Sequence, residues 1–318
     1  MKLLITRPLP DAVLTPARDA FDLTVRNSTA PMTSDEMTAA LTEYDIILPT
    51  LGDQFSAGIF ASVPAPRTRL LANFGVGYNH IDVAAARAAG INVTNTPGAV
   101  TDATADIALT LMLMSARRAA EGERLVRSGQ WQGWHPTQML GLHMTGKVLG
   151  VVGMGRIGQA IAKRAHFGFG MEVVYHTRTP RPLPGLPKAR ALPGLLDVMK
   201  TADIVVIAAP ASPQTRHMID TKALAAMRPH AHLVNIARGD IIDEAALIAA
   251  LQAGRIAGAG LDVYEFEPEV PKALRALENV VLLPHLGTAA LEVRVPMGLM
   301  ALDNALALRD GRPLPNPV

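Results

Sequence analysis

The chain has 318 residues, 49% of them hydrophobic, with 30 Lys and Arg against 28 Asp and Glu. That length accommodates two domains of ordinary size, each with its own core. The net charge of +2 comes with no basic run or aromatic-interleaved patch, which argues against a nucleic-acid partner, and the absence of cysteine excludes disulfides, thiolate catalysis and cysteine-bound zinc.

The N-terminal run MKLLITRPLPDAV reads as a strand and a turn, too short in its apolar part for a signal peptide. No apolar stretch is long enough to span a bilayer, so a soluble cytoplasmic protein without membrane partners is expected. Strand-like runs follow at 3–6, 23–25, 46–49, 70–74 and 91–94. Between them lie helical patterns such as 34–41, opened by a Ser-Asp cap, and 83–89, stopped by Gly90. A βα repeat of this kind predicts a parallel sheet. The turn Gly75-Val76-Gly77 follows the fourth strand. Its backbone N–H groups can form a nest for an anion, or it is an ordinary βα turn. A long helix is predicted from 103 to about 127, then a loop holding both tryptophans, Trp131 and Trp134.

A second series begins at Val148, with strands at 148–152, 172–176, 203–208, 232–236, 257–263 and 280–283. Helices are predicted near 157–166, 194–200, 222–227 and 243–253, and a last one over 291–309. Six strands with crossover helices make a doubly wound dinucleotide domain. The expected fold is therefore α/β, with two doubly wound parallel-sheet domains, one of Rossmann and one of flavodoxin-like type, and a cleft between them. The expected division is 1–98 with 288–318 as a substrate domain and 99–287 as the dinucleotide-binding domain.

The sharpest motif is Gly153-x-Gly155-x-x-Gly158, set between the apolar run 148–152 and a helical pattern. In a strand–turn–helix crossing the first glycine makes the turn. The second lets backbone approach a pyrophosphate, and the third lets helix and strand pack closely. The next strand runs into His176-Thr177-Arg178-Thr179, with Arg181 beyond. An NAD site usually ends that strand with a carboxylate, but Glu172 stands at its start. Arg178 can instead pair with a 2′-phosphate, helped by Thr177 and Thr179, which predicts NADPH over NADH. The plainer alternative is that Arg178 and Arg181 are surface charges.

Three polar residues follow strands of the second series: Arg238 in NIARGD, Glu267 in LDVYEFEP and His285 in PHLGT. Arginine can grip a carboxylate, histidine can protonate an oxygen as hydride arrives at carbon, and a carboxylate can orient the histidine and raise its pKa. Taken singly each has a bland reading, as a helix cap, a solvated acid and a structural histidine. The combination beside a dinucleotide motif favours carbonyl reduction. His230 and His232 share a strand face, but no third ligand is apparent, so no metal is expected.

With NFGVGYNHID, GMGRIG, NIARG, GLDVYEFEP and LLPHLGTA in order, the chain resembles the D-isomer-specific 2-hydroxyacid dehydrogenases over essentially its full length. The resemblance implies Arg238, Glu267 and His285 as substrate-binding, relay and acid/base residues. Val76 and Gly77 would be backbone donors to the substrate carboxylate, with Leu51 and Trp134 also at the substrate. It implies that Asp262 holds the nicotinamide carboxamide, that Ile236 meets the cofactor through its backbone, and that Ala209-Pro210 lines the adenosine side. Thr104, Met154, Gly155, Arg156, Ile157, Gly158, Thr215 and Gly287 would complete the cofactor contacts. A C-terminal helix returning to the first domain, and a homodimer with an arm at about 120–145, are implied as well.

Within the family the chain looks most like the NADPH-dependent glyoxylate/hydroxypyruvate reductases. His-Thr-Arg-Thr matches their phosphate-binding end, and Trp131-x-x-Trp134-His135-Pro136 looks like their arm. A Glu–His pair rather than Gln–His sets formate dehydrogenase aside. Met154 stands where leucine is common. The implied reaction is reduction of glyoxylate or hydroxypyruvate to glycolate or D-glycerate. A reductase of bulkier 2-keto acids such as arylpyruvates, and a non-metabolic dinucleotide-sensing scaffold, are the alternatives.

Overall fold

A computed structural model describes residues 1–179 and 182–318. The chain divides into two compact units, Met1–Val100 with Ala289–Val318, and Thr101–Thr288.

The first unit opens with β1 (Lys2–Ile5), α1 (Asp11–Ala20), β2 (Asp22–Val25), α2 (Ser34–Glu43) and β3 (Ile46–Leu48). It continues with α3 (Ala57–Ala61), β4 (Leu70–Ala72), α4 (Val83–Ala88) and β5 (Asn92–Thr94). Its sheet has the order β2-β1-β3-β4-β5 with every pair parallel, the flavodoxin-like doubly wound order. Leu3, Ile5, Ile46, Ile47, Leu48, Leu70 and Leu71 are fully buried. Strands covered on both faces read as unbroken apolar runs, which is why these short segments stand out in the sequence. The start of α2 differs from expectation. Its cap is Thr33, whose Oγ1 accepts from Glu36 N at 3.2 Å while Glu36 Oε2 accepts from Thr33 N at 2.8 Å. This reciprocal box uses Thr-x-x-Glu and leaves Ser34 and Asp35 inside the first turn.

The second unit begins with α5 (Thr101–Ala116) and α6 (Ala119–Arg127). The single long helix expected from 103 to 127 is broken here, because Arg118 turns left-handed at φ 52°. Leu142 N–H takes the Ala116 carbonyl at 2.7 Å. Gly141 presses so close that a Cβ on it would lie 2.4 Å from that same oxygen. The break is thus imposed by a distant segment, and no Gly or Pro marks it locally.

The unit continues with β6 (Val148–Val152), α7 (Arg156–Phe169), β7 (Glu172–His176), β8 (Arg190–Ala191), α8 (Leu195–Thr201) and β9 (Ile204–Ile207). After these come α9 (Thr221–Ala226), β10 (His232–Asn235), a 3₁₀ turn (Gly239–Ile241) and α10 (Glu244–Gln252), then β11 (Gly258–Leu261), α11 (Lys272–Arg275) and β12 (Val280–Leu282). The sheet order is β12-β11-β10-β9-β6-β7-β8, all parallel. It has seven strands rather than the expected six. The extra one, β8, is a two-residue edge strand in a Pro- and Gly-rich segment and has no apolar run to announce it. The strand order reverses between β6 and β9, the place where this architecture binds ligands at the C-terminal strand ends.

The last helix, α12 (Leu291–Arg309), belongs to the first unit and packs on α1 and β4. Val318 N then bonds Val93 O at 3.1 Å. Among the described residues no helix is long and apolar enough to cross a membrane.

Candidate active site

The turn between β6 and α7 is built on its three glycines. Gly153 has φ 98°, and a Cβ there would lie 2.5 Å from Ala209 N. On Gly158 a Cβ would lie 2.2 Å from Gly153 O. Protein atoms therefore enforce the first and third glycines. Gly155 differs, because nothing lies within 4 Å of the position its Cβ would take. Open space at the N-cap of a 14-residue helix, beside free N–H groups, fits a pyrophosphate. Arg156 is exposed at the first position of α7, and Ile157 packs on the core. Met154 is buried, and its carbonyl accepts from Gln159 Nε2 at 3.3 Å.

At the end of β7, His176 O accepts from Gly153 N at 2.9 Å, which joins the two loops. Arg178 and Thr179 are exposed and Thr177 is half-buried. Arg178 has no ion-pair partner among the described residues. Glu172 is exposed at the opposite end of the strand. Arg181 lies outside the described residues. After β9, Thr215 shapes the loop that carries Ala209 and Pro210. Its Oγ1 donates to Pro210 O at 2.9 Å and accepts from Ser212 N at 2.8 Å.

Arg238, Glu267 and His285 follow β10, β11 and β12, three neighbouring parallel strands. Glu267 Oε2 lies 2.8 Å from His285 Nδ1, and Glu267 Oε1 accepts from Tyr264 N at 3.0 Å. Burial pushes the Glu267 carboxyl upward. The hydrogen bond and charge of His285, the Tyr264 amide and the charge of Arg238 outweigh it, and the group ends below the usual carboxylate range. Burial lowers the Arg238 guanidinium from its ordinary value, opposed by the charges of Glu267 and Asp240. The Arg238 backbone is cradled by Asn235, whose Nδ2 donates to Arg238 O at 2.8 Å while its Oδ1 accepts from Ala237 N at 3.0 Å. Ile236, between them, is buried. His285 adopts a left-handed φ of 55°.

Asp262, at the end of β11, is buried and accepts from Leu286 N at 2.6 Å and Gly287 N at 2.8 Å. Its carboxyl is raised by burial, against those amides and the charge of His285. Thr104 Oγ1 donates to Gly287 O at 3.2 Å and ties the loop to α5.

In the first unit, the turn after β4 is held from its carbonyl side. Asn73 Nδ2 donates to Gly75 O and Gly77 O at 3.0 Å each, and Asn95 Nδ2 donates to Val76 O at 2.9 Å. Among the described residues the Val76 and Gly77 amides donate to no acceptor. Leu51 is exposed beside Asp53, a buried carboxylate that accepts from Thr50 N, Met32 N and Thr6 Oγ1. Trp134 is exposed.

Two residues of the site escape sequence reasoning. Tyr264 gives its N–H to Glu267 and its hydroxyl to Leu283 O at 2.8 Å. Asn235 is the second: its Oδ1 accepts from Ala237 N two residues on, an Asx turn that an Asn at a strand end can announce.

The family model of the D-isomer specific 2-hydroxyacid dehydrogenase, NAD binding domain, matches residues 109–287. A glyoxylate reductase of Thermococcus onnurineus is 40% identical over 321 aligned residues, covering 100% of this chain and 95% of that protein. Among solved structures, the TT0316 protein of Thermus thermophilus superposes with a TM-score of 0.92 at 42% identity, covering 100% of both chains. An NADPH-dependent glyoxylate/hydroxypyruvate reductase of Sinorhizobium meliloti, in complex with NADP and malonate, gives a TM-score of 0.88 at 35% identity, covering 100% of this chain and 96% of that one.

Proposed function

We propose that this chain, which belongs to the D-isomer-specific 2-hydroxyacid dehydrogenase family, is an NADPH-dependent reductase that converts glyoxylate or hydroxypyruvate to glycolate or D-glycerate. The observation that carries the reading is the 2.8 Å His285–Glu267 hydrogen bond, with Arg238 close enough for its charge to act on Glu267. Relatives named glyoxylate reductase and a neighbour solved with NADP support it.

In this reading Arg238 grips the substrate carboxylate and orients the adjacent carbonyl. The amides of Val76 and Gly77 and the side chains of Leu51 and Trp134 are further proposed substrate contacts. With Nδ1 engaged by Glu267, His285 gives its proton to the carbonyl oxygen from Nε2. Glu267, ionised, holds the ring in orientation. When bound, the cofactor supplies the hydride. Gly155 and the start of α7 would hold its pyrophosphate, Asp262 its carboxamide, and Arg178 with Thr177 and Thr179 its 2′-phosphate. A cytoplasmic homodimer with an arm at about 120–145 belongs to the same proposal.

The test is NADPH and NADH oxidation, followed by absorbance, with glyoxylate, hydroxypyruvate, pyruvate and phenylpyruvate. The expected result is a higher kcat/KM with NADPH and with the two small substrates. A preference for NADH removes the cofactor assignment, and a preference for phenylpyruvate removes the substrate assignment. No turnover of any of the four sinks the reading.

A further inference from the structure

One residue with no role in the chemistry above bonds both the loop that carries Arg238 and the loop that carries Glu267. His217 lies between β9 and α9. Its backbone N–H donates to Asp240 O at 2.8 Å, in the 3₁₀ turn that starts directly after Arg238. Its Nε2 lies 2.7 Å from Glu265 Oε1, two residues before Glu267. Arg216 Nη2 donates to the same oxygen at 3.3 Å. His217 itself stands in the left-handed region, φ 48°, uncommon for a residue with a side chain though less so for histidine.

The two loops also touch directly. A Cβ on Gly239 would fall 1.8 Å from the Tyr264 carbonyl carbon. Beyond His217 the seam continues, with Ile219 N donating to Ile241 O and Asp243 N to Ile219 O, both at 3.1 Å. The Glu265 side chain is only 9% exposed. Loss of the His217 ring would leave this nearly buried carboxylate with Arg216 as its remaining side-chain partner.

We propose that His217 and Glu265 are positioning residues, a clasp that fixes the spacing of Arg238 from the Glu267–His285 pair. The proposal rests on the function assigned above and deepens it, because reduction requires the guanidinium and imidazole to meet one substrate in fixed geometry. A misplacement on the order of 1 Å can cost about 100-fold in rate.

The experiment compares wild type, His217→Ala, Glu265→Ala and His217→Gln, the last restoring a side-chain donor. Amide hydrogen exchange and steady-state kinetics with NADPH and glyoxylate are measured on each, with Tm and the NADPH Kd as controls. In both alanine variants, exchange should accelerate at 238–241 and at 264–267 together. Their kcat should fall and their KM for glyoxylate rise, for a loss of about 10- to 100-fold in kcat/KM. The NADPH Kd should stay near wild type, and His217→Gln should recover most of the loss. Faster exchange confined to 216–219, or a lowered Tm with unchanged kinetics, overturns the clasp. If wild type itself turns over no 2-keto acid, the function fails instead, and the exchange data still decide whether the two loops are coupled.

Discussion

His232 should make the stability of the second unit depend on pH in a calculable way. The side chain stands at the start of β10, 6% exposed, with Nδ1 2.8 Å from Ser115 Oγ on α5. Burial, and secondarily the charge of nearby His230, lower its pKa from 6.5 to about 4. The unfolded chain therefore takes up a proton as pH falls through 6.5, while the folded chain resists until about 4. Proton uptake by the unfolded state alone favours unfolding, so the stabilising contribution is full above pH 6.5 and is progressively lost toward pH 4. At pH 5 the loss corresponds to the interval between 6.5 and 5, about 2 kcal/mol at ~1.4 kcal/mol per pKa unit. For a unit of this size that amounts to roughly 4–8 °C in Tm. Urea unfolding of wild type and His232→Gln at pH 7 and pH 5 isolates this residue, since every other titrating group is shared. The variant should lose about 2 kcal/mol less than wild type over that interval. Equal losses in the two proteins would refute the reasoning.

His285→Ala should slow glyoxylate reduction by about 10²–10⁴-fold, with the NADPH Kd little changed; turnover near wild type in a stopped-flow assay removes this residue from proton transfer. Arg178→Ala should lower kcat/KM with NADPH by roughly 10- to 100-fold and leave NADH nearly unaffected, as expected for loss of charge-assisted bonds to a phosphate. A parallel fall with both cofactors would show that Arg178 does not read the 2′-position. Gly239→Ala should destabilise the protein by about 3 kcal/mol or more, because the new methyl meets backbone rather than a movable side chain. A wild-type melting curve for that variant would contradict the close approach of the two loops.

Much of the architecture is legible in the sequence because parallel strands covered on both faces are written as apolar runs. The predicted strands at 148–152 and 172–176 coincide with β6 and β7. What stays hidden is decided by contacts far along the chain. The break after Ala116 is made by Leu142, and no local pattern interrupts the helical periodicity there. The pairing of β8 with β7 rests on two residues, too few to carry an alternation. At the candidate site, Arg238, Glu267 and His285 can be picked out because each follows a recognisable strand. The bonds that organise them cannot be read this way. Tyr264 N–H to Glu267, Asn235 Nδ2 to the Arg238 carbonyl and His217 to two loops depend on how separate loops are laid against one another, and His217 carries no motif at all.

The return of α12 to the first unit has a consequence for how the chain assembles. Thr101–Thr288 is continuous, so its seven-stranded sheet can form as soon as it leaves the ribosome. The first unit is different, because a wall of its core is supplied by Ala289–Val318. Val13 faces Gly298 at a distance that leaves no room for a methyl group, and Val93 waits for the amide of Val318. The unit begun before Thr101 is thus completed only after Thr288. Until the final helix arrives, α1 and β4 keep an apolar face open to water, and that interval is when the nascent chain is most exposed to aggregation.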